Sequence, residues 1–269
     1  MTDRRAAPPV ASGIALVTGA SAGMGRDIAW ALAAAGYDLA LIGRRTEGLE
    51  ETARGVAAAG RRSIALVADV CDATALSAAL DEFLAWSGDR VDVLINAAGW
   101  TGPLSPPIHE ISVEDFDATL ATNLRAPFLT LRRLLPVMYA QGSGRIVNMG
   151  GNHGMRGRAG RAAFSASKWG LRGLSRTAAL EAGPHGVTVN LIAPGPVAVP
   201  RMKANWRAQA EAEGVAEEVI LARYMQAMGA ALGQPSEPQD VVAMVLFLVG
   251  EGGGAITGQE LIIDGGVIV

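Results

Sequence analysis

The sequence predicts an α/β fold, a single domain built on a doubly wound parallel sheet. Three observations carry that expectation. Short apolar runs alternate with longer helical patterns along almost the whole chain. The runs are apolar nearly throughout, as in strands buried on both faces. A glycine-rich turn also separates the first run from the first helical window.

The elements follow in order. A strand at 14–18 leads through the glycine turn to a helix at 24–35. A second strand, 38–42, ends on Gly43-Arg44-Arg45 before a helix at 46–59. The third, 63–68, ends on Asp69-Val70 and precedes a helix at 73–86. The fourth, 91–95, runs into Asn96-Ala97-Ala98-Gly99, a loop at 100–112 with three prolines, and a long helical window at 113–140. A fifth strand at 145–149 is joined to a helix at 162–183 by a loop rich in Gly and Arg. The sixth, 187–192, ends on Ala193-Pro194-Gly195. An insertion at about 196–236 then precedes the last helix, 238–249, and the last strand, 260–263. Ligands in this fold class sit beyond the carboxyl ends of the strands, so the insertion reads as a lid over a pocket or as an extra helical pair on the core.

Composition narrows the functional classes. At 269 residues, 50% hydrophobic and 18% charged, the chain is globular and long enough for one large core. A net charge of −3 offers no footprint for nucleic acid. Cys71 is the sole cysteine, so no disulfide framework exists. No apolar run reaches the roughly 18 to 20 residues that span a bilayer. Residues 1–12 are polar and contain proline, which reads as a flexible leader on a cytoplasmic protein. Asp69, Asp92 and Asp264 fall near strand ends without metal-ligand clustering, so no metal site is expected.

The turn Thr18-Gly19-Ala20-Ser21-Ala22-Gly23-Met24-Gly25 is suited to phosphate. Gly19 allows the tight turn, Gly23 lets backbone approach a pyrophosphate, and Gly25 lets the helix pack on the sheet. The helix start adds free N–H groups and a positive dipole. This is a Rossmann-type dinucleotide site.

The turn resembles the TGxxxGxG motif of the short-chain dehydrogenase/reductase family, and the resemblance covers nearly all of residues 12–269. Asp69-Val70 resembles the family's adenine contact and Asn96-Ala97-Ala98-Gly99 its NNAG motif. Asn123 matches the structural asparagine. Asn190 to Gly195 match an N-x-x-x-P-G turn, and Ile256-Thr257-Gly258-Gln259 with Asp264-Gly265-Gly266 match the C-terminal signature. The resemblance implies a nicotinamide dinucleotide held by Gly19, Ser21, Ala22, Gly23, Met24, Gly25, Arg44, Arg45, Asp69, Val70, Asn96, Ala97, Gly99, Lys168, Pro194, Gly195 and Val197. It also implies a homo-oligomer, a tetramer or a dimer. Arg44 and Arg45, with no carboxylate at the end of the second strand, favour NADP (NADPH) over NAD, unless they only cap a solvated helix start. The family's other basic phosphate contact is Ala22 here.

The centre of the site departs from the family. Its catalytic group is Asn, Ser, Tyr and Lys, with Tyr and Lys four residues apart. Here Lys168 and Asn123 are present, but the tyrosine position is Phe164 and the serine position Gly151. Val199 stands where the family has a threonine on the nicotinamide amide. Phenyl and glycine cannot donate a proton, and loss of a general acid costs about 10²- to 10⁴-fold in rate. His153, with Asn152, is the candidate replacement, because imidazole titrates near neutrality; it also reads as a plain pocket-lining residue. Ser165 and Ser167 flank Phe164; helical geometry turns Ser165 away from its face, and neither is expected as the substitute acid. Arg156, Arg158 and Arg161 form a solvated or oligomer surface, or recruit an anionic substrate.

Three readings follow. The chain is an NADP-dependent oxidoreductase that reduces an imine or an activated C=C bond. Or it is a non-redox lyase, isomerase, dehydratase or cyclase using His153, or it is a catalytically silent cofactor-binding protein. Trp100, Met155, Met202 and Trp206 hint at an apolar or aromatic small-molecule substrate.

Overall fold

The computed structural model describes residues 13–103 and 106–269; the expected leader at 1–12 lies outside them. Seven parallel strands form one sheet in the order β3-β2-β1-β4-β5-β6-β7. They are β1 Gly13–Thr18, β2 Tyr37–Gly43, β3 Ser63–Val67, β4 Val93–Asn96, β5 Gly144–Met149, β6 Val187–Pro194 and β7 Glu260–Ile263. The chain runs outward from β1 to β3 and then crosses back to β4. That reversal opens a crevice at the carboxyl ends of β1 and β4.

Alternation along β1 shows why both faces need helices. Ile14 and Leu16 join one apolar cluster, while Ala15 and Val17 join the other. The first cluster packs against α3 (Ala73–Ser87), α5 (Ala126–Gln141) and α6 (Ala162–Ala182). The second packs against α1 (Gly23–Ala34), α2 (Thr46–Ala58) and α9 (Pro238–Val249).

Two boundaries depart from the expected pattern. The window 113–140 is not one helix: α4 (Val113–Leu120) passes into a π-turn at Ala121–Arg125 before α5 begins. Pro127 has no N–H to return to the carbonyl of Asn123, and Ala126 donates instead to Ala121, five residues back. The fourth strand starts at Val93 rather than 91, because the Gln141 side chain takes both backbone groups of Val91.

The insertion folds as two helices, α7 (Pro200–Glu213) and α8 (Glu217–Met228). They share an apolar cluster of Trp206, Ala210 and Ile220, with Met202 and Tyr224 packed against it. The segment leaves and rejoins the domain through a narrow neck. There Val197 bridges Ser236, and the Ser236 amide donates to the Pro196 carbonyl at 2.9 Å.

Candidate active site

The turn after β1 is shaped by contacts that only glycine permits. A Cβ on Gly19 (φ +72°) would stand 2.8 Å from the Ala98 backbone, and one on Gly25 would stand 2.4 Å from the Gly19 carbonyl oxygen. At Gly23 (φ +54°) the same Cβ meets nothing within 4 Å, so that backbone faces open space. Helix α1 begins there with no side-chain cap and no acidic residue in its first turn. Its amides and dipole are therefore left for an external anion, and the turn fits a dinucleotide pyrophosphate. Arg26 braces it, donating to the carbonyls of Ser21 (2.8 Å) and Gly48 (3.2 Å) and pairing with Glu51 at 2.7 Å. Half-buried Met24 packs on the core beneath.

Arg44 and Arg45 are exposed at the end of β2. Arg45 donates to the Ser21 carbonyl at 3.1 Å, and Arg44 lies 3.6 Å from the Asp69 carboxylate. Asp69 also accepts from the Cys71 amide, while Val70 is core. This edge of the site holds two guanidinium groups and one carboxylate.

Asn96 is scaffold. Buried, it donates to Asn148 (2.8 Å) and accepts from Thr130 (2.9 Å), while Asn148 donates to Ser175 (2.9 Å). The network ties β4 and β5 to α5 and α6 and so fixes where Ala97 to Gly99 emerge. Asn123, on the π-turn, accepts from the Trp100 amide at 2.9 Å. It donates to the Trp100 carbonyl (2.8 Å) and to the Ser167 hydroxyl (3.0 Å). Ser167 in turn donates to the Phe164 carbonyl at 2.8 Å, so its hydroxyl is fully engaged.

At the centre, Lys168 is buried and donates to the Met149 carbonyl at 2.8 Å, with its Nζ 5.6 Å from the Phe164 ring centroid. Burial lowers its pKa to about 8. One of three ammonium protons is committed to Met149, which leaves two. Gly151 has extended backbone (φ 163°, ψ 151°). A Cβ there would sit 3.8 Å from Phe164 Cζ, ordinary contact, so a serine fits. The absence of a hydroxyl is thus not imposed by packing.

His153 stands edge-on to Phe164, with ring centroids 5.5 Å apart, and its Nε2 is buried without a partner. Burial, then the charges of Arg161, Arg158 and Arg156, hold its pKa down to about 4. At pH 7 this imidazole is neutral. Asn152 is buried beside Gly195, whose missing Cβ would also strike Asp264 at 2.4 Å. Pro194 turns its carbonyl toward Gly151, whereas Val197 is core at the neck of the insertion. Trp206, expected near the pocket, belongs instead to the cluster between α7 and α8. Three features carried no sequence signal: the Met149 carbonyl that holds Lys168, and Arg201 and Tyr224, which the insertion brings to the Arg156–Arg161 loop.

A family model described as short chain dehydrogenase matches residues 13–211. The chain belongs to this family. A short-chain dehydrogenase/reductase of Armillaria gallica is 36% identical over 258 residues, covering 95% of each chain. Among solved structures, actinorhodin polyketide ketoreductase with NADPH matches at a TM-score of 0.85 and 32% identity, over 96% of this chain and 98% of that one. NAD+-bound xylitol dehydrogenase matches at a TM-score of 0.85 and 29% identity, over 94% and 98%. Seven parallel strands flanked by helices are thus the framework of a short-chain dehydrogenase oxidoreductase. The nicotinamide nucleotide differs between those two relatives. Among the described residues no group of His, Cys, Asp and Glu could hold a metal, and no helix is long and apolar enough to cross a membrane.

Proposed function

We propose that this protein is an NADP(H)-dependent reductase of activated C=C bonds rather than of simple ketones. The observation that carries the reading is Phe164, an apolar ring set between Lys168 and His153 in a site that keeps all three turn glycines. The bound nicotinamide supplies a hydride. Reducing a ketone leaves an alkoxide that needs a proton at oxygen, and Phe164, Gly151 and the fully engaged Ser167 offer none. Reducing an alkene conjugated to a carbonyl leaves an enolate, which needs stabilisation of negative charge and then a proton on carbon from solvent.

The electrostatics favour that second outcome. The Lys168 ammonium is protonated below a pKa of about 8, and three guanidinium groups raise the potential around His153. A positive pocket stabilises an enolate and opposes an iminium cation, so of the two substrate classes open from sequence the alkene is preferred. Arg44 and Arg45, exposed at the end of β2, support the ribose phosphate of NADP. The α7–α8 hairpin, held to the loop before α6 by Arg156 and Arg158, forms one wall of the substrate site and leaves solvent access for the carbon proton. Exposed Phe116, Phe128 and Leu180 on α4, α5 and α6 support assembly as a homo-oligomer.

The test is to titrate the protein with NADPH and NADH by fluorescence and then follow NADPH oxidation with conjugated enones and with saturated ketones. The reading expects tighter NADPH binding, oxidation with enones and a saturated ketone as product. Equal turnover of saturated ketones would overturn it.

A further inference from the structure

The loop before α6 and the start of α7 bring together positive charge that no acid among the described residues neutralises. Arg156 and Arg158 lie in that loop, Arg161 is the N-cap residue of α6, and Arg201 is in the first turn of α7. Among the described residues eleven ion pairs tie other arginines and lysines to acids, and none includes these four arginines. Arg156 and Arg158 have a structural task. They reach the Met228 carbonyl (3.4 Å) and sulfur (2.7 Å) at the carboxyl end of α8, where a helix dipole welcomes cations.

Arg161 and Arg201 have no such task. The Arg161 side chain is half-buried and, among the described residues, makes no hydrogen bond or ion pair, although Arg158 and Arg201 are close enough for their charges to oppose its own. The Tyr224 phenol of α8 lies beside Arg158 and Arg161, and the unpartnered Nε2 of His153 is close by. Helix α6 starts with no side-chain cap and no acid in its first turn. Guanidinium, phenol and helix amides are donors to oxyanions, and no acid from the loop, α7 or α8 balances them.

We propose that Arg161 and Arg201 bind an oxyanion carried by the substrate, a carboxylate or a phosphate monoester, where the loop at 155–161 meets the α7–α8 hairpin. That the bound molecule is substrate rests on the reductase reading; that the cluster binds an anion does not. An anion there would cancel the mutual repulsion of Arg158, Arg161 and Arg201 and join the hairpin to the body of the domain. Arg161 is three residues before Phe164, about 5 Å along the helix axis.

The experiment uses benzoate and inorganic phosphate as probes on protein saturated with NADPH, so that the glycine turn is already filled. Affinity is read by calorimetry, and the His153 imidazole pKa by NMR. We expect at least one probe to bind and to raise the His153 pKa. In Arg161→Gln/Arg201→Gln that binding weakens at least about tenfold with NADPH affinity unchanged, and Arg161→Lys loses less. The probe that binds separates carboxylate from phosphate. If neither probe binds, or the double variant binds as well as the natural chain, the proposal is overturned. If NADPH itself does not bind, the reductase reading fails, and benzoate binding to the nucleotide-free protein still decides the anion site.

Discussion

Two turns on the same edge of the sheet make an instructive pair. After β1, glycine is dictated by space: added methyl groups at Gly19 and Gly25 would enter backbone atoms at 2.8 and 2.4 Å. After β5, Gly151 is dictated by nothing near it, since a methyl there meets Phe164 Cζ at 3.8 Å on extended backbone. The first turn is a shape that a dinucleotide needs, and the second is a missing hydroxyl in a place with room for one. Departure at the second turn, with Phe164 beside it, is therefore a chemical difference on an unaltered frame. Nucleotide binding and proton delivery are separable in this fold because different strands supply them.

The comparison breaks most severely if the first turn can be damaged without consequence. Gly25→Val places side-chain atoms against the Gly19 carbonyl, and NADPH affinity should fall more than about hundredfold, with folding weakened by about 1–3 kcal/mol. Fluorescence titration and thermal melting check both. Next comes Lys168. Replacement by Met should lower enone turnover about 10²- to 10³-fold, as for a lost oxyanion donor. In the natural chain kcat should decline as pH rises through about 8, where the ammonium loses its charge.

Stability should move the other way. The folded pKa of Lys168 lies below its ordinary 10.5, so between about 8 and 10.5 the unfolded chain holds the extra proton and native stability rises with pH. Lys168→Met should therefore stabilise the fold more at pH 7 than at pH 10, as read by denaturant titration.

Smaller effects sharpen the picture at the rim. Arg44→Ala should weaken NADPH about tenfold and change NADH far less, because on the proposed reading the exposed guanidinium meets the phosphate that NADH lacks, while its 3.6 Å contact with Asp69 is solvent-exposed. With an uncharged enone as substrate, His153→Gln should alter kcat by less than about twofold and leave the pH profile flat between 5 and 7, since the imidazole is already neutral there. An ionisation near 6.5 that vanishes in this variant would show that His153 carries the proton after all.

Much of the framework was legible in the sequence because its causes are local. Near-continuous apolar runs placed the strands, and the spacing of Gly19, Gly23 and Gly25 placed the turn that opens α1. The spacing of Phe164 and Lys168 placed the altered centre. What was not legible depended on partners distant in the chain. The π-turn that positions Asn123 arises from a missing amide at Pro127 inside an otherwise helical pattern. Ser167 is set aside as an acid from sequence, but the reason appears only in three dimensions, where it accepts from Asn123 and donates to the Phe164 carbonyl. The neutrality of His153 comes from burial and from arginines whose charges converge only in three dimensions. Trp206 carries the same lesson, because its helical spacing fits a pocket wall and the core of a hairpin equally well.

The central claim is that the nucleotide site is intact while the hydroxyls needed for ketone reduction are absent. Its most direct test is saturated-ketone reduction by the natural chain and by Phe164→Tyr/Gly151→Ser, each shown first to bind NADPH. The account predicts that the double variant gains at least about hundredfold in NADPH-dependent ketone reduction with unchanged NADPH affinity. A natural chain that already reduces ketones as fast as the double variant would contradict it.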